Sequence, residues 1–398
     1  ADIVSGTLKG ILGFLIIGAG AGIIVSALLI FQPIWTEVFG LSSMNLTNII
    51  GQARFSERYG SSVTIAIAGG FAINLLLARL TRFKYIYLTG HMMFWTTMIF
   101  AGVMVNTEPA ISAVQLTLML TVIMGLYWTL QPALVQPWVR KITGNDNVAL
   151  GHTSASVALL GAIFGQIFAR NKISSEDIKV PKKLGFLRDS NVVTALTMAL
   201  LFFIGTFILQ IKGTPKAAEI LAQSGDLSFY IYALKQSLMF TGGIAVVLLG
   251  VRMFIGEMVP AFNGIGSRLV PGAKPALDCP ILFNFAPNAV VLGFVGAFVG
   301  SLLWLTLIGR YTGYVFIPSM IVIFFHAGTA GVFGNITGGY KGALLAGFIT
   351  STVVAWGQYF CVTGFIDNTI PDTALWAGDS DMFVLAPVIH LLTRLLAF

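Results

Sequence analysis

The chain has 398 residues, of which 56% are hydrophobic and only 10% charged, and its formal net charge is +7. Soluble globular domains carry about a quarter charged residues, so these side chains are too few to clothe an aqueous surface. That excludes a soluble enzyme or a nucleic-acid-binding protein and points to a chain dissolved in lipid, where the 44 glycines suit closely approaching helices.

A spanning helix takes about 20 mostly apolar residues. The first such runs are Ile11–Phe31, Ser62–Ala78, Tyr85–Val105 and Ile111–Leu130. Leu150–Ala169 opens with Leu-Gly-His-Thr-Ser-Ala-Ser and is richer in small and polar residues. Val192–Gln210, Phe229–Val251 and Ala289–Ile308 follow as spans. Ile317–Phe333 is interrupted by His326-Ala-Gly-Thr-Ala-Gly, and Gly342–Phe360 and Met382–Phe398 close the series. Leu150–Ala169 and Ile317–Phe333 read as re-entrant or broken helices, because irregular backbone at membrane depth is tolerated only beside protein or a water-filled cavity. The expected fold is all-α, a polytopic membrane protein of about 10–11 helices. Because residue 1 is Ala and the last residues are apolar, both ends are expected to be trimmed.

Basic residues set the orientation. Arg79, Arg82 and Lys84 follow the second span, and Arg170–Asp189 carries Arg170, Lys172, Lys179, Lys182, Lys183 and Arg188; such loops face the cytoplasm. The longer one is expected either to meet anionic lipid or to dock a cytoplasmic partner. Asp372, Asp379 and Asp381, in Pro371–Asp381, are expected to be solvated. Cys279 and Cys361 form no CxxC pair, and no GxxxxGK[ST] phosphate loop is present. No cofactor or metal is expected.

The chain echoes itself. Gly18-Ala-Gly-Ala-Gly-Ile-Ile-Val leads to Glu37-Val-Phe-Gly-Leu, and Thr241-Gly-Gly-Ile-Ala-Val-Val leads to Pro260-Ala-Phe-Asn-Gly-Ile. Two repeats, roughly 1–190 and 191–398, are expected, with a solute site between them near the midplane, as in transporters built from inverted repeats.

Ionisable groups inside greasy segments are costly and mark function. His91 follows Thr89-Gly90, where Gly90 permits close approach, and Trp95 offers an aromatic face. His152 sits in Gly151-His152-Thr153-Ser154, where a solute contact and a helix N-cap are alternatives. Asp278 lies in Pro275-Ala-Leu-Asp278-Cys-Pro, where it can accept from solute hydroxyls or cap the helix after Pro280. Asn288 adds a donor and an acceptor near a helix start. Glu37 and Glu257 read as structural, His390 and Arg394 as interfacial, and His326 is left without a role. The set suits a small polar, polyhydroxylated solute.

Thr89-Gly-His-Met-Met-Phe, Gly151-His, Gly250-Val-Arg-Met-Phe-Ile-Gly-Glu, Ala261-Phe-Asn-Gly-Ile, Arg268-Leu-Val-Pro-Gly-Ala, Leu277-Asp-Cys and Phe285-Ala-Pro-Asn-Ala-Val together resemble the ascorbate-specific IIC permease of the bacterial phosphoenolpyruvate-dependent phosphotransferase system. The resemblance covers nearly the whole chain, with one further family helix before Ala1 and a last helix running past Phe398. It implies a homodimer in the bacterial inner membrane, each protomer divided into a scaffold and a mobile core that carries solute by an elevator-like displacement. It also implies phosphorylation of the solute by a separate IIB protein bearing a phosphocysteine, itself served by IIA; the chain is then a transport subunit that does not hold the phosphoryl group. The solute, with ascorbate leading, is expected to meet His91, Gly90, Trp95, His152, Thr153, Asp278 and Asn288, and Asn48 to Gly51 from a second side. Two positions depart from the family, which has Gln where this chain has Trp95 and Thr153. The rival expectation is a proton- or sodium-coupled transporter of a sugar acid or pentitol.

Overall fold

The computed structural model describes residues 2–40, 52–107, 109–168, 173–178, 190–266, 270–314, 320–366 and 379–396. Its helices are α1 (Asp2–Val38), α2 (Gln52–Leu80), α3 (Gly90–Val105), α4 (Ala113–Thr143), α5 (Ala155–Phe168), α6 (Ser190–Lys212), α7 (Pro215–Ala222), α8 (Phe229–Gly266), α9 (Pro280–Phe283), α10 (Pro287–Thr312), α11 (Met320–Phe360) and α12 (Ser380–Leu396). Among the described residues seven helices are long and apolar enough to cross a bilayer, and α3 and α5 are shorter apolar helices. The chain is an all-α, multi-pass membrane protein. Val114, Leu118, Val122, Leu126, Leu130 and Leu134 lie exposed along α4; their four-residue spacing puts them on one helix face, the face an apolar solvent would wet.

The run Tyr85–Val105, expected as one helix, is divided. Its first residues form strand β1 (Tyr85–Tyr87), and the helix begins only at Gly90. Two more short strands, β2 (Ala149–Leu150) and β3 (Lys274–Leu277), complete a parallel sheet in the order β1–β3–β2. Strands this short carry no readable periodicity, so the expectation missed them. A sheet inside a membrane protein survives only if its edge groups find partners, and buried amides from neighbouring helices supply these. Asn74 of α2 donates to the Tyr85 carbonyl at 3.0 Å and accepts from the Tyr87 N–H at 3.1 Å. On the far edge, Gln131 and Gln136 of α4 donate to the carbonyls of Leu150 and Val148 at 3.2 and 2.9 Å. Pro275 lies in the central strand but precedes the β2 pairing, which begins at Ala149 opposite Ala276, so no ladder bond is forfeited there.

Helix α4, which carries two of these edge amides, is sharply bounded. Ser112 and Gln115 form a capping box at the start of α4, and Gly144, at φ 71°, ends it beyond Arg140 and Lys141. The turn that follows places Asp146 where it accepts from Gln136 and Arg140, each at 2.8 Å, and pairs with Lys274 of β3. The N-terminal end of the sheet is thereby pinned to the end of α4.

Two glycine contacts set the helix packing. On α1, a Cβ on Gly13 would fall 2.6 Å from the Phe254 nitrogen and one on Gly20 would fall 2.7 Å from the Val247 nitrogen. On α8, a Cβ on Gly243 would meet the Gly20 carbonyl at 2.9 Å and one on Gly250 the Gly13 carbonyl at 2.8 Å. Gly13 pairs with Gly250 and Gly20 with Gly243, so α1 and α8 run antiparallel with backbones in contact, as small-residue interfaces allow. The two helices are the ones that carry the internal echo of the sequence. In α11, Gly339 takes φ 65°, ψ −160°, a region open essentially to glycine alone. The backbones of Gly334 and Gly342 touch, although eight residues of straight helix would separate them by about 12 Å. The helix therefore folds back on itself, and the described parts of the expected segments Ile317–Phe333 and Gly342–Phe360, from Met320 onward, are the two arms of one hairpin. The expected basic loop Arg170–Asp189 falls mostly outside the described residues.

Candidate functional site

All three strands point their carboxyl ends at one place. Beyond β1 the chain runs through Thr89 and Gly90 to His91, beyond β2 through Gly151 to His152, and beyond β3 directly to Asp278. Because β3 is the central strand, its aspartate stands between the two histidines. Nε2 of His91 lies 3.5 Å from Oδ2 of Asp278, and Nε2 of His152 lies 3.6 Å from Oδ1. Gly151 is required between strand and histidine: a Cβ there would sit 2.6 Å from the Ala276 carbonyl, on the neighbouring strand. The carboxyl ends of parallel strands are where open sheets bind ligands, and the physical reason carries over, since adjacent strands deliver adjacent side chains. Asp278 also accepts from the N–H of the adjoining Cys279 at 2.7 Å, but α9 starts from Cys279 with no side-chain cap, so the capping alternative is not what the structure shows.

Behind this trio stands a second pair, His326 and Asp379. His326, on α11, places Nε2 3.1 Å from Asp379 Oδ1, and Thr153 donates its hydroxyl to Asp379 Oδ2 at 2.6 Å. The rings of His152 and His326 meet edge to face with centroids 4.9 Å apart. Nδ1 of His152 is 2.9 Å from the Ser154 hydroxyl, and Nδ1 of His326 is 3.0 Å from that of Ser380. Asp381 is committed elsewhere, accepting from Tyr127 at 2.8 Å and from the Ser156 N–H at 2.7 Å. The expectation that Asp379 and Asp381 are solvated is thus corrected. Both are buried, because the chain enters α12 beside the start of α5 and their charges are met by hydroxyls, an amide and an imidazole.

These groups border a cavity of about 430 Å³, within the usual range for small-molecule sites. One wall is His91, Met92 and Trp95 of α3, the floor is His152, Asp278 and Pro280, and Val322, Phe325, His326 and Asp379 close the back. The facing wall is Ile17, Gly18, Ala21 and Val25 of α1. Among the described lining residues there is no Lys or Arg. Apolar walls with a few convergent polar groups orient a solute without gripping it across its whole surface.

Of the residues expected at the site, His91, Trp95, His152 and Asp278 line this cavity, and Gly90 adjoins it as the exposed first residue of α3. Thr153 is fully buried and meets the cavity lining through Asp379 and Met92, its hydroxyl lying 2.6 Å from Asp379 Oδ2 and 3.0 Å from the Met92 sulfur. Asn288 lies elsewhere: its backbone N–H, with that of Ala289, donates to Glu176 at the start of α10. Asn48 and Gly51 lie outside the described residues. His326 and Asp379 also line the cavity, although the sequence does not single them out as site candidates. The apolar run around His326 was the available signal, whereas Asp379 sits in a polar stretch and gives none. As for metals, His152, Asp278 and Cys279 hold donor atoms within 4.8 Å of one another, but the carboxylate is already shared with His91 and the thiol is buried.

Comparison with known proteins gives two findings. The family described as PTS system sugar-specific permease component matches residues 1–380. The ascorbate-specific PTS system EIIC component of Mycoplasma pneumoniae (strain ATCC 29342 / M129 / Subtype 1) is 26% identical over 406 aligned positions, which cover 89% of this chain. The match spans 61% of that relative's length.

Proposed function

The chain belongs to the family of sugar-specific permease components of the phosphotransferase system, and on that premise we propose that it carries a small polyhydroxylated solute across the bacterial inner membrane. The observation that carries this reading is the Asp278 carboxylate shared by His91 and His152 on the floor of a cavity. Side chains that merely satisfied one another in hydrocarbon would close on themselves; here two of the three keep exposed surface, with His91 at 53% and Asp278 at 32%. Hydroxyl groups that displace water from such a site exchange hydrogen bonds with both histidines and the carboxylate, and Trp95 packs against the carbon skeleton. Ascorbate, the solute named for the relative, is the first compound to try.

The cavity lies between α1, which packs on α8 and α6, and the elements that carry the strand ends. That placement supports an elevator-like displacement of a core holding His91, His152 and Asp278 past a scaffold holding α1; a homodimer of two-repeat protomers is part of the same proposal. Phosphorylation by a separate IIB protein, supplied through IIA, then traps the solute on the cytoplasmic side. The test is uptake of labelled solute by cells lacking their own carrier. Uptake that requires both IIA and IIB is expected; uptake that persists without them and collapses with an uncoupler would instead assign the chain to ion-coupled transport.

A further inference from the structure

The cavity holds two carboxylate–imidazole pairs of the same construction. Asp278 faces Nε2 of His152, whose Nδ1 meets the Ser154 hydroxyl, and Asp379 faces Nε2 of His326, whose Nδ1 meets the Ser380 hydroxyl. The two imidazoles touch, both aspartates border the same cavity, and no described Lys or Arg does. We propose that Asp379 and His326 form a second half of the solute site, positioned by Thr153, and that the completed site takes an uncharged polyol or sugar in preference to an anion. The proposal rests on the reading of this cavity as the solute site.

A carboxylate only accepts hydrogen bonds, and solute hydroxyls are the donors that suit it. Charge-assisted bonds of this kind are shorter and stronger than neutral ones. An alditol offers a hydroxyl on every carbon, so one end can donate to Asp278 while the other donates to Asp379, with the imidazole nitrogens exchanging bonds between them. An anionic solute such as ascorbate at neutral pH would bring its charge toward two carboxylates in a site whose described lining holds no Lys or Arg, and like charges repel most where water is scarce. Thr153 accounts for the departure from the family's Gln: its hydroxyl is spent on Asp379 at 2.6 Å, so it sets the carboxylate's position and leaves the solute contact to Asp379.

The experiment is equilibrium binding to the purified full chain in nanodiscs, with tritiated ascorbate and a panel of alditols (xylitol, ribitol, mannitol and galactitol) as competing probes. The wild type is expected to bind at least one alditol more tightly than ascorbate. Asp379→Asn is expected to weaken that alditol about tenfold or more, as loss of a charge-assisted bond implies, and to leave ascorbate no weaker. His326→Gln should weaken it less, and Thr153→Ser should keep it. Alditol affinities within twofold of wild type in both Asp379→Asn and His326→Gln would overturn the half-site. Ascorbate binding more tightly than every alditol would overturn the charge preference on wild-type protein alone, whatever the variants' folding, and would leave the permease reading standing. Binding of neither class would overturn the cavity's assignment and the proposal with it.

Discussion

Nε2 of His152 lies 3.6 Å from Oδ1 of Asp278, although the two residues come from opposite halves of the chain. Parallel strands β2 and β3 bring them together, each residue standing just past its strand's carboxyl end. His91 completes the arrangement from β1 but is half exposed, whereas His152 is almost fully buried.

That difference in burial separates the two histidines experimentally. His91→Gln is expected to weaken solute binding with little change in the thermal midpoint of the purified protein. His152→Gln is expected to weaken binding and also to lower the midpoint, because it disturbs a packed ring that meets Asp278, Ser154 and His326; loss of one buried bond alone costs about 1 kcal/mol. Binding isotherms and thermal unfolding of both variants decide it, and equal midpoints would mean that the buried ring contributes nothing to the fold.

The antiparallel contact of α1 with α8 makes a prediction with an internal control. Gly20→Ala forces a methyl to within 2.7 Å of the Val247 nitrogen, whereas Gly22, two residues further along the helix, has open space at its Cβ. Gly20→Ala is expected to cost about 1–3 kcal/mol through overpacking, and Gly22→Ala nothing. Unfolding midpoints of the pair in the same detergent check this; parity between them would remove the proposed backbone contact.

Asn74 is expected to matter more than a polar residue in a helix usually does. It is fully buried and serves Tyr85, Tyr87 and Thr129 together. Asn74→Leu leaves the edge of β1 unpaired, at about 1–3 kcal/mol for each buried group. Because β1 aims His91, solute affinity should fall as well. Retained affinity in a well-folded Asn74→Leu protein would show that the strand edge does not position the site.

Asp146 supplies the pH dependence. Burial opposes its charge, but hydrogen bonds from Lys274, Gln136 and Arg140 outweigh that and hold its carboxyl below the ordinary value of 3.8. A depressed folded-state pKa means that its contribution is fully present above the unfolded value and is lost as pH falls through the folded one. Asp146→Asn should therefore lower the unfolding midpoint at pH 7, and the gap from wild type should close as pH drops below 3.8. Its carboxylate is 41% exposed, so salt should narrow the gap too. A gap that widens in acid would contradict the assignment.

The membrane class and most helices were legible in the sequence because hydrophobic length is read residue by residue. His91, His152 and Asp278 were legible because an ionisable group in an apolar run is conspicuous on its own. The strands were not, since Tyr85–Tyr87 and Ala149–Leu150 are set by pairing with β3, a relation between distant segments. Asn74, Gln131 and Gln136 were passed over for the same reason, their purpose being visible only once an edge strand lies beside them. Asp379 reads as solvated from its polar neighbours in sequence, whereas its neighbours in space are His326 and Thr153. The Gly334 and Gly342 contact likewise belongs to the hairpin and not to either arm.

The most direct test is the affinity of purified wild-type and Asp278→Asn proteins for whichever of ascorbate and the alditols binds wild type best, measured by equilibrium dialysis with labelled compound. Neutralising the carboxylate that joins His91 to His152 is predicted to reduce affinity about tenfold or more while the protein stays monodisperse. Equal affinity in the two proteins would mean that the solute, if carried, is held somewhere else.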